Sequence, residues 1–354
     1  MIGQRIKQAR KAAGLSMRDL AQRAKISAMS ISKYENGQAT PSSGVLIALA
    51  RALHVRTEYF FRTNAIELEG VEYRKHRKLG AKTLDQIHAG VIEQLERFFE
   101  LLDFLPTHPI AQFEPPANLA PHIDSLDQIE EVAIAVREAW GLGNNPIPDL
   151  TDALEERGVM VFQTEVLHGD KFDGLAATVN GLPIIVVGAH WPGDRQRFTL
   201  AHELGHLILS ERLTDNLDEE KACNRFAGAF LAPAPEVSKE LGTKRTWLEP
   251  RELNILKKAY GLSMSGWIHR AEDLNILSKA NAGKMRIFFR KQGWIKNEPG
   301  GIYPSEQPSL FTQLVYHALA EGLIAESKAA ELLMLPLPEF HRQRNMERAQ
   351  QAAD

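Results

Sequence analysis

The sequence has little cysteine and no long hydrophobic run. One thiol, Cys223, stands among 354 residues, so no disulfide can form within the chain. A lone thiol is typical of proteins of a reducing cytoplasm, where we expect this protein to reside. No apolar run approaches the roughly 18–20 residues that cross a membrane, so we expect no membrane partner. The basic first residues lack a following apolar stretch, so we expect no signal peptide.

Acidic residues are scarce near the N-terminus. Residues 1–62 carry eleven Lys or Arg and three Asp or Glu, a local charge of +8. The whole chain has a net charge of −3, so the remaining residues sum to −11. A basic segment on an acidic body predicts a polyanionic partner for that segment alone. A solvated basic face is the alternative, and charge does not decide between the two.

Residues 1–62 also show the pattern of several short helices. Apolar residues recur at helical spacing, and Ser16 and Ser27 stand where helix N-caps are needed. The pattern predicts helices over about 16–24 and 27–34, joined by a tight turn. In such a helix-turn-helix, the second helix enters the major groove of DNA.

Residues 2–61 resemble the XRE family of phage-repressor-like domains. The resemblance rests on Leu20-Ala21-Gln22, Ile26-Ser27, Ile31-Ser32, Glu35-Asn36-Gly37 and Pro41. It implies binding of double-stranded DNA, with Ala28, Met29 and Lys33 facing base edges. It also implies a set of phosphate-contacting side chains, namely Arg10, Ser27, Ser30, Ser32 and Asn36. Such domains commonly act as dimers, so a homodimer is an open option.

Residues 83–105 have apolar side chains every three or four positions, which predicts one long helix. The apolar stripe is either a dimer seam or the inner face of a helix docked on its own domain, and we favour docking. Residues 106–121 are rich in proline and are predicted to be a linker.

The stretch His202-Glu203-Leu204-Gly205-His206 fits the pattern His-Glu-x-x-His. Residues four apart on a helix share a face, so both imidazoles can reach one Zn²⁺. Glu203 lies beside them and can take a proton from the water that zinc activates. Two surface histidines are the alternative, but the flanking apolar residues predict a buried helix, where unpaired histidines are costly.

A third ligand is expected from the following helix, where Glu220 and Asn224 are four residues apart on one face. We predict that Glu220 binds zinc and that Asn224 forms a hydrogen bond with a ligand histidine. Two His and one Glu, with a position open to water, are typical of hydrolytic sites, whereas structural zinc sites are closed by Cys and His. Glu219 stays an alternative ligand, about 100° round the helix from Glu220.

Residues 125–235 resemble the ImmA/IrrE family of zinc metallopeptidases. The resemblance rests on DRQRFTLAHELGHLIL, on the acidic residue before ACNRFAGAFLAP, and on the preceding FDGLAATVNGLPIIVV. It implies that His202, His206 and Glu220 are zinc ligands and that Glu203 is the catalytic base. Known members cleave repressor proteins, so the implied substrate is a repressor or another partner protein.

The chain departs from this family at two positions. Ser210 stands where many members have a histidine, and Cys223 replaces a frequent alanine. Neither residue is a ligand in this interpretation, so neither removes activity. We expect Cys223 to be a small buried core residue.

Strand-like runs precede the motif helix, at residues 159–165, 175–179 and 183–187. Asn180-Gly181 between the last two predicts a hairpin turn. An edge strand of this hairpin can hold an extended peptide by strand addition. His168 and His190 flank the hairpin and either line the cleft or are ordinary loop histidines, which we favour.

The predicted fold class is α+β, mostly α. The expected order is an all-α helix-turn-helix domain over 1–62, a linker with a long helix over 63–121, a zincin-like domain with a small antiparallel sheet over 122–235, and a helical region over 236–354. Residues 251–280 have the outline of a second helix-turn-helix unit around Gly261, for which we favour packing over DNA contact.

The sequence therefore predicts a bacterial-type, DNA-binding transcriptional regulator with a zinc-dependent endopeptidase domain. The alternative is a transcription factor or antitoxin whose metal domain only senses or binds. Glu203 favours the enzyme, because a purely structural site needs no base. A nuclease is disfavoured, because one His₂Glu site lacks the paired carboxylates usual in two-metal chemistry.

Overall fold

Short helices form the N-terminal unit of the protein. The structure, a computed structural model, describes residues 2–53, 55–61, 81–165 and 172–346. The N-terminal elements are α1 (Ile2–Ala12), α2 (Met17–Ala24), α3 (Ala28–Glu35), α4 (Ser43–Leu53) and a 3₁₀ helix (Thr57–Phe61). Their shared core contains fully buried apolar side chains from each of them: Ile6, Leu20, Ile31, Leu49 and Phe60.

The turn between α2 and α3 is built by local signals. The Ser16 hydroxyl accepts a hydrogen bond from the Asp19 N–H, and the Ser27 hydroxyl accepts one from the Ser30 N–H. Lys25 adopts a left-handed conformation, with φ of 55°, and reverses the chain between the helices. These contacts confirm both predicted N-caps and the predicted helix-turn-helix.

Helix α5 (Ala81–Leu102) connects the N-terminal unit to the rest of the chain. Glu96 on this helix forms a buried ion pair with Arg5 of α1. Val91, Leu95 and Phe98 are fully buried in a second core, which includes side chains of the sheet and of the C-terminal helices. The apolar stripe of α5 is thus covered by other parts of the same chain. This agrees with the prediction that the helix docks on its own domain, and it leaves no exposed apolar seam for a dimer among the described residues of this helix.

The segment after α5 forms neither helix nor strand between residues 106 and 121, as its prolines predicted. Its Ile110 and Leu119 are buried in two different cores, so the segment is fixed against the folded body at both ends. Helices α6 (Leu126–Ala139) and α7 (Leu150–Glu155) follow.

The sheet has three strands in the order β1-β3-β2: β1 (Met160–Thr164), β2 (Gly174–Val179) and β3 (Leu182–Gly188). Asn180 and Gly181 both have positive φ, 51° and 80°, which confirms the hairpin turn between β2 and β3. The sequence predicted an antiparallel sheet, but β1 pairs with β3 in parallel, with Met160 opposite Ile184. The sheet is mixed because β1 occupies the edge of β3 that the hairpin leaves open, running in the same direction.

Helix α8 (Gly193–Leu209) lies between the sheet and α9 (Glu219–Leu231). Two glycines permit these close approaches. A Cβ at Gly174 would lie 2.4 Å from Thr199 Cγ2 of α8, and a Cβ at Gly205 would lie 3.2 Å from Cys223 Cα of α9. The motif helix is therefore held tightly on two sides.

Seven further helices complete the described residues: α10 (Ala234–Leu241), α11 (Pro250–Tyr260), α12 (Met264–Asp273), α13 (Lys279–Lys291), α14 (Leu310–Ala320), α15 (Glu326–Leu332) and α16 (Leu337–Arg344). Leu253, Trp267 and Phe289 extend the core of α8 and α9, which supports packing for the unit around Gly261. Val315 and Phe340 belong to the core of α5 and the sheet. In the part of the chain that the structure describes, no helix has the length and apolarity to span a bilayer.

Candidate metal centre and DNA-facing helix

His202 and His206 lie one turn apart on α8 and direct their Nε2 atoms to the same point. The two Nε2 atoms are 3.1 Å apart. Both side chains are mostly buried. Two nitrogens that each lie 2.0–2.1 Å from one tetrahedral zinc ion are separated by about 3.3 Å. The observed separation therefore fits a shared ion.

Glu220 approaches the same point from α9. Its carboxylate oxygens lie 3.5 Å from His202 Nε2 and 3.6 Å from His206 Nε2. Asp218 caps α9, because its carboxylate accepts a hydrogen bond from the Lys221 N–H, and this fixes the first turn of the helix. The ligand atoms of the two histidines and Glu220 all lie within 4.8 Å of one another. Two imidazole nitrogens and a carboxylate are a donor set that suits zinc.

The other ring nitrogen of each histidine has its own partner. Asn224 Oδ1 lies 3.2 Å from His202 Nδ1, and Glu219 Oε1 lies 2.8 Å from His206 Nδ1. Carbonyl and carboxylate oxygens only accept, so each Nδ1–H donates and each Nε2 lone pair points to the shared centre. Asn224 occupies the position that the sequence predicted. Glu219, an alternative ligand in the sequence analysis, lies on the opposite nitrogen from Glu220.

Cys223 lies beneath the centre. It is fully buried, and its Sγ lies 3.3 Å from His206 Nδ1. With His206 and Glu219 it forms a second compact group of donor atoms, on the Nδ1 side of the ring. The thiol does not line the cleft that the Nε2 group borders. This placement agrees with the predicted core role.

Glu203 and the metal-binding group line one cleft with a volume of about 1050 Å³. Glu203 is half-buried and next to His202 in the chain. Phe113 and Pro115, from the proline-rich segment, form part of the cleft wall. No local sequence pattern predicts this path of the linker, since it depends on where Ile110 and Leu119 are buried.

Strand β2 forms another wall of the cleft. Residues 173–178 line it, and among the described residues β2 pairs only with β3. The backbone along the outer edge of β2 can therefore pair with an extended peptide. Of the two histidines near the hairpin, His168 lies outside the described residues. His190 is exposed and does not line the cleft, and its ring is tilted by 42° against that of Trp191, with centroids 4.4 Å apart. This placement is that of an ordinary loop histidine.

On α3, the most exposed predicted DNA-facing side chains follow one side of the helix. Met29 is 69% exposed, and Lys33 and Asn36 follow it by one and two turns. Ser27 is exposed at the N-cap. The other predicted residues of this helix are half-buried: Ala28, Ser30 and Ser32.

The prediction that Arg10 contacts phosphate is wrong. Arg10 is buried, and its guanidinium donates to both carboxylate oxygens of Glu35, at 2.6 and 2.8 Å, and to the Leu15 carbonyl at 2.9 Å. Its donors are used inside the domain, where they brace α1 against the end of α3. This ion pair joins residues 25 positions apart, so no local sequence pattern predicts it.

Two family models match these two regions. Residues 6–60, from α1 to the 3₁₀ helix, match the helix-turn-helix family model. Residues 154–272, from the end of α7 to α12, match the model of the IrrE N-terminal-like domain. No curated protein matches the chain. The second match contains the whole candidate metal centre.

Proposed function

The chain joins a helix-turn-helix domain of the XRE type to an ImmA/IrrE-like peptidase-family domain, and on this premise we propose that it is a DNA-binding transcriptional regulator with a zinc-dependent endopeptidase. One observation carries the proposal. The Nε2 atoms of His202 and His206 and the oxygens of Glu220 converge within 3.1–3.6 Å beside a cleft that Glu203 also lines.

In this function His202, His206 and Glu220 hold the ion, while Asn224 and Glu219 orient the two rings through Nδ1. Bound zinc supplies Lewis acidity, which lowers the pKa of a water molecule to about 7 and polarises a peptide carbonyl. Three protein ligands leave a coordination position for that chemistry, whereas a closed structural site does not.

The role of Glu203 is proton transfer. Its carboxylate accepts a proton from the attacking water and delivers it to the nitrogen of the departing amine. Glu203 is not needed to hold the ion, so its presence beside the histidines favours hydrolysis over metal storage or sensing.

The substrate is proposed to be an extended segment of a partner protein, for which a repressor is the expected class. The outer edge of β2 pairs only with extended backbone, so the cleaved segment is a loop or an unfolded stretch rather than a regular helix. Phe113, Phe198 and Leu207 give the cleft apolar surface for its side chains.

The N-terminal domain directs this activity to a DNA site. Met29 and Lys33 lie on the exposed side of α3, where they face the major groove if α3 is the recognition helix, and Asn36 at the end of α3 is a phosphate-contact candidate. Lys33 can donate to guanine acceptors, and Met29 can contact a thymine methyl group. Contacts from Ser27, Ser30 and Ser32 to phosphates, and from Ala28 to bases, remain part of the proposal.

The test is Glu203→Gln in the full chain. With zinc supplied, wild type should cleave members of a library of unstructured peptides, as seen by mass spectrometry. The variant should bind equal zinc and cleave none. Glu211→Gln is the matched control, because Glu211 is exposed on the same cleft and should tolerate the change. If Glu203→Gln leaves gene regulation in cells unchanged, peptidase activity does not explain the function, and the metal domain is a sensor or binding module instead.

A further inference from the structure

A second strongly basic segment lies far from the helix-turn-helix. Between Leu274 and Asn297 the chain has six Lys or Arg and no Asp or Glu, although the residues beyond 62 are acidic in total. The six are Lys279, Lys284, Arg286, Arg290, Lys291 and Lys296. Arg286 pairs with Glu272 at 2.5 Å, and the other five are exposed without an ion pair to any described residue.

Five of these cations belong to α13, where the four exposed ones form two rows. Successive residues of a helix are turned by about 100°. One row, formed by Lys279 and Arg290, borders one side of the exposed face. The other row, formed by Lys284 and Lys291, lies roughly 120° round the helix from it. The strip between the rows carries small or apolar residues, namely Ala280, Gly283 and Ile287. A Cβ at Gly283 would meet nothing within 4 Å, and Ile287 is 53% exposed.

The opposite face of α13 is fixed in the core. Ala282, Met285 and Phe289 are fully buried, so the two cation rows are held outward. The charge pattern is therefore presented on a rigid helix rather than on a mobile tail.

The chain enters α13 as it enters α3. After α12, Asn275 adopts a left-handed conformation with φ of 56°, and the Ser278 hydroxyl caps α13 by accepting from the Asn281 N–H. Between α2 and α3 of the N-terminal domain, Lys25 likewise adopts the left-handed conformation and the Ser27 hydroxyl caps α3. The turn before α13 is longer, but the two helix pairs follow the same local design.

We propose that α13 is a second DNA-contacting helix, which lies in the major groove with one cation row against each phosphate backbone. The major groove is wide enough to admit a helix, and cations on both flanks then reach both strands. The small central strip lets the backbone of α13 approach the base edges. An anionic membrane is a poorer fit, because insertion needs a broad apolar face and this strip offers Ile287 alone. The proposal is independent of the metal centre.

The first test measures the salt dependence of binding by the full chain to a random duplex of thirty base pairs. Each phosphate contact contributes about 0.9 to the slope of log K against log salt concentration. Lys284→Gln/Lys291→Gln should therefore lower the slope by roughly 1.8. The control Lys239→Gln/Lys258→Gln makes the same charge change on exposed lysines of α10 and α11 and should leave the slope unchanged. Equal slopes for wild type and the α13 variant, or equal losses in both variants, would overturn the proposal.

The second test separates α13 from α3. Met29→Glu/Lys33→Glu should disable α3, and the remaining duplex binding should then disappear on adding Gly283→Glu, a site with room for a side chain. Circular dichroism checks that each variant is folded. The proposal fails if disabling α3 alone removes all binding, or if Gly283→Glu has no effect. It also fails if the α13 lysine change abolishes binding to phosphatidylserine vesicles but not to DNA.

Discussion

Replacing Glu219 with Gln tests how the metal centre is oriented. The Glu219 carboxylate lies 2.8 Å from His206 Nδ1 and holds the ring with Nε2 toward the centre. Glutamine keeps the size and an acceptor oxygen but removes the negative charge. That charge makes the Nε2 atom of His206 a stronger ligand for zinc. Losing such a partner typically weakens metal binding 10- to 100-fold. The Glu219 side chain is 35% exposed, so solvent screens part of the effect. We expect a loss of about tenfold, or about 1.4 kcal/mol.

The assay is competition for zinc between the protein and a chromophoric chelator at fixed pH. Glu211→Gln, on the same cleft but without contact to either histidine, should bind zinc as wild type does. Glu220→Ala should lose far more affinity than Glu219→Gln, because it removes a ligand. Zinc binding by Glu219→Gln as tight as that of wild type would contradict this role of Glu219. If it is as weak as Glu220→Ala, Glu219 is itself a ligand.

Three other substitutions test the scaffold. Glu35→Ala leaves Arg10 buried without its partner, which typically costs about 3–5 kcal/mol, so thermal unfolding should show a lost N-terminal transition. Burial raises the pKa of Glu155 to about 7, so the folded state holds a proton that the unfolded state releases above its ordinary pKa of 4.5. Stability should therefore fall by up to about 3 kcal/mol as pH rises from 4.5 to 7, and Glu155→Gln should abolish this trend in urea unfolding. Cys223→Ala should keep the zinc and cost about 1 kcal/mol.

For each of these substitutions, a second result distinguishes the predicted cause from another one. Lys33→Ala should weaken DNA binding without moving the unfolding midpoint, whereas Glu35→Ala should lose both. A Glu155→Gln variant that keeps the wild-type pH trend would assign the trend to another group. Loss of zinc in Cys223→Ala would show that the thiol is a ligand, contrary to its place behind His206 Nδ1.

The features that sequence predicted well are encoded over a few residues. Four-residue spacing placed His202 with His206, and Glu220 with Asn224, because a helix repeats every 3.6 residues. Serine caps and Asn180-Gly181 likewise marked helix starts and the hairpin by local hydrogen bonding and positive φ. Such local patterns predict structure well, because the contacts that they describe join residues within one or two turns of the chain.

The features that sequence did not give depend on distant segments. Alternation of apolar residues does not encode strand direction, so the parallel pairing of β1 with β3 was not foreseen. Arg10 has a basic side chain at a helix end, and only its distance to Glu35 shows that it holds α1 against the end of α3. Helical geometry separated Glu219 from Glu220 by about 100°, but the packing of α9 on α8 decides which nitrogen each carboxylate meets.

The zinc content of the purified protein tests the proposed metal centre most directly. Elemental analysis of wild type and Glu220→Ala should find about one zinc per chain in the first and much less in the second, as expected for a His₂Glu site. Wild type without zinc, even after incubation with the metal, would contradict the proposal and leave a DNA-binding protein on a peptidase-like scaffold.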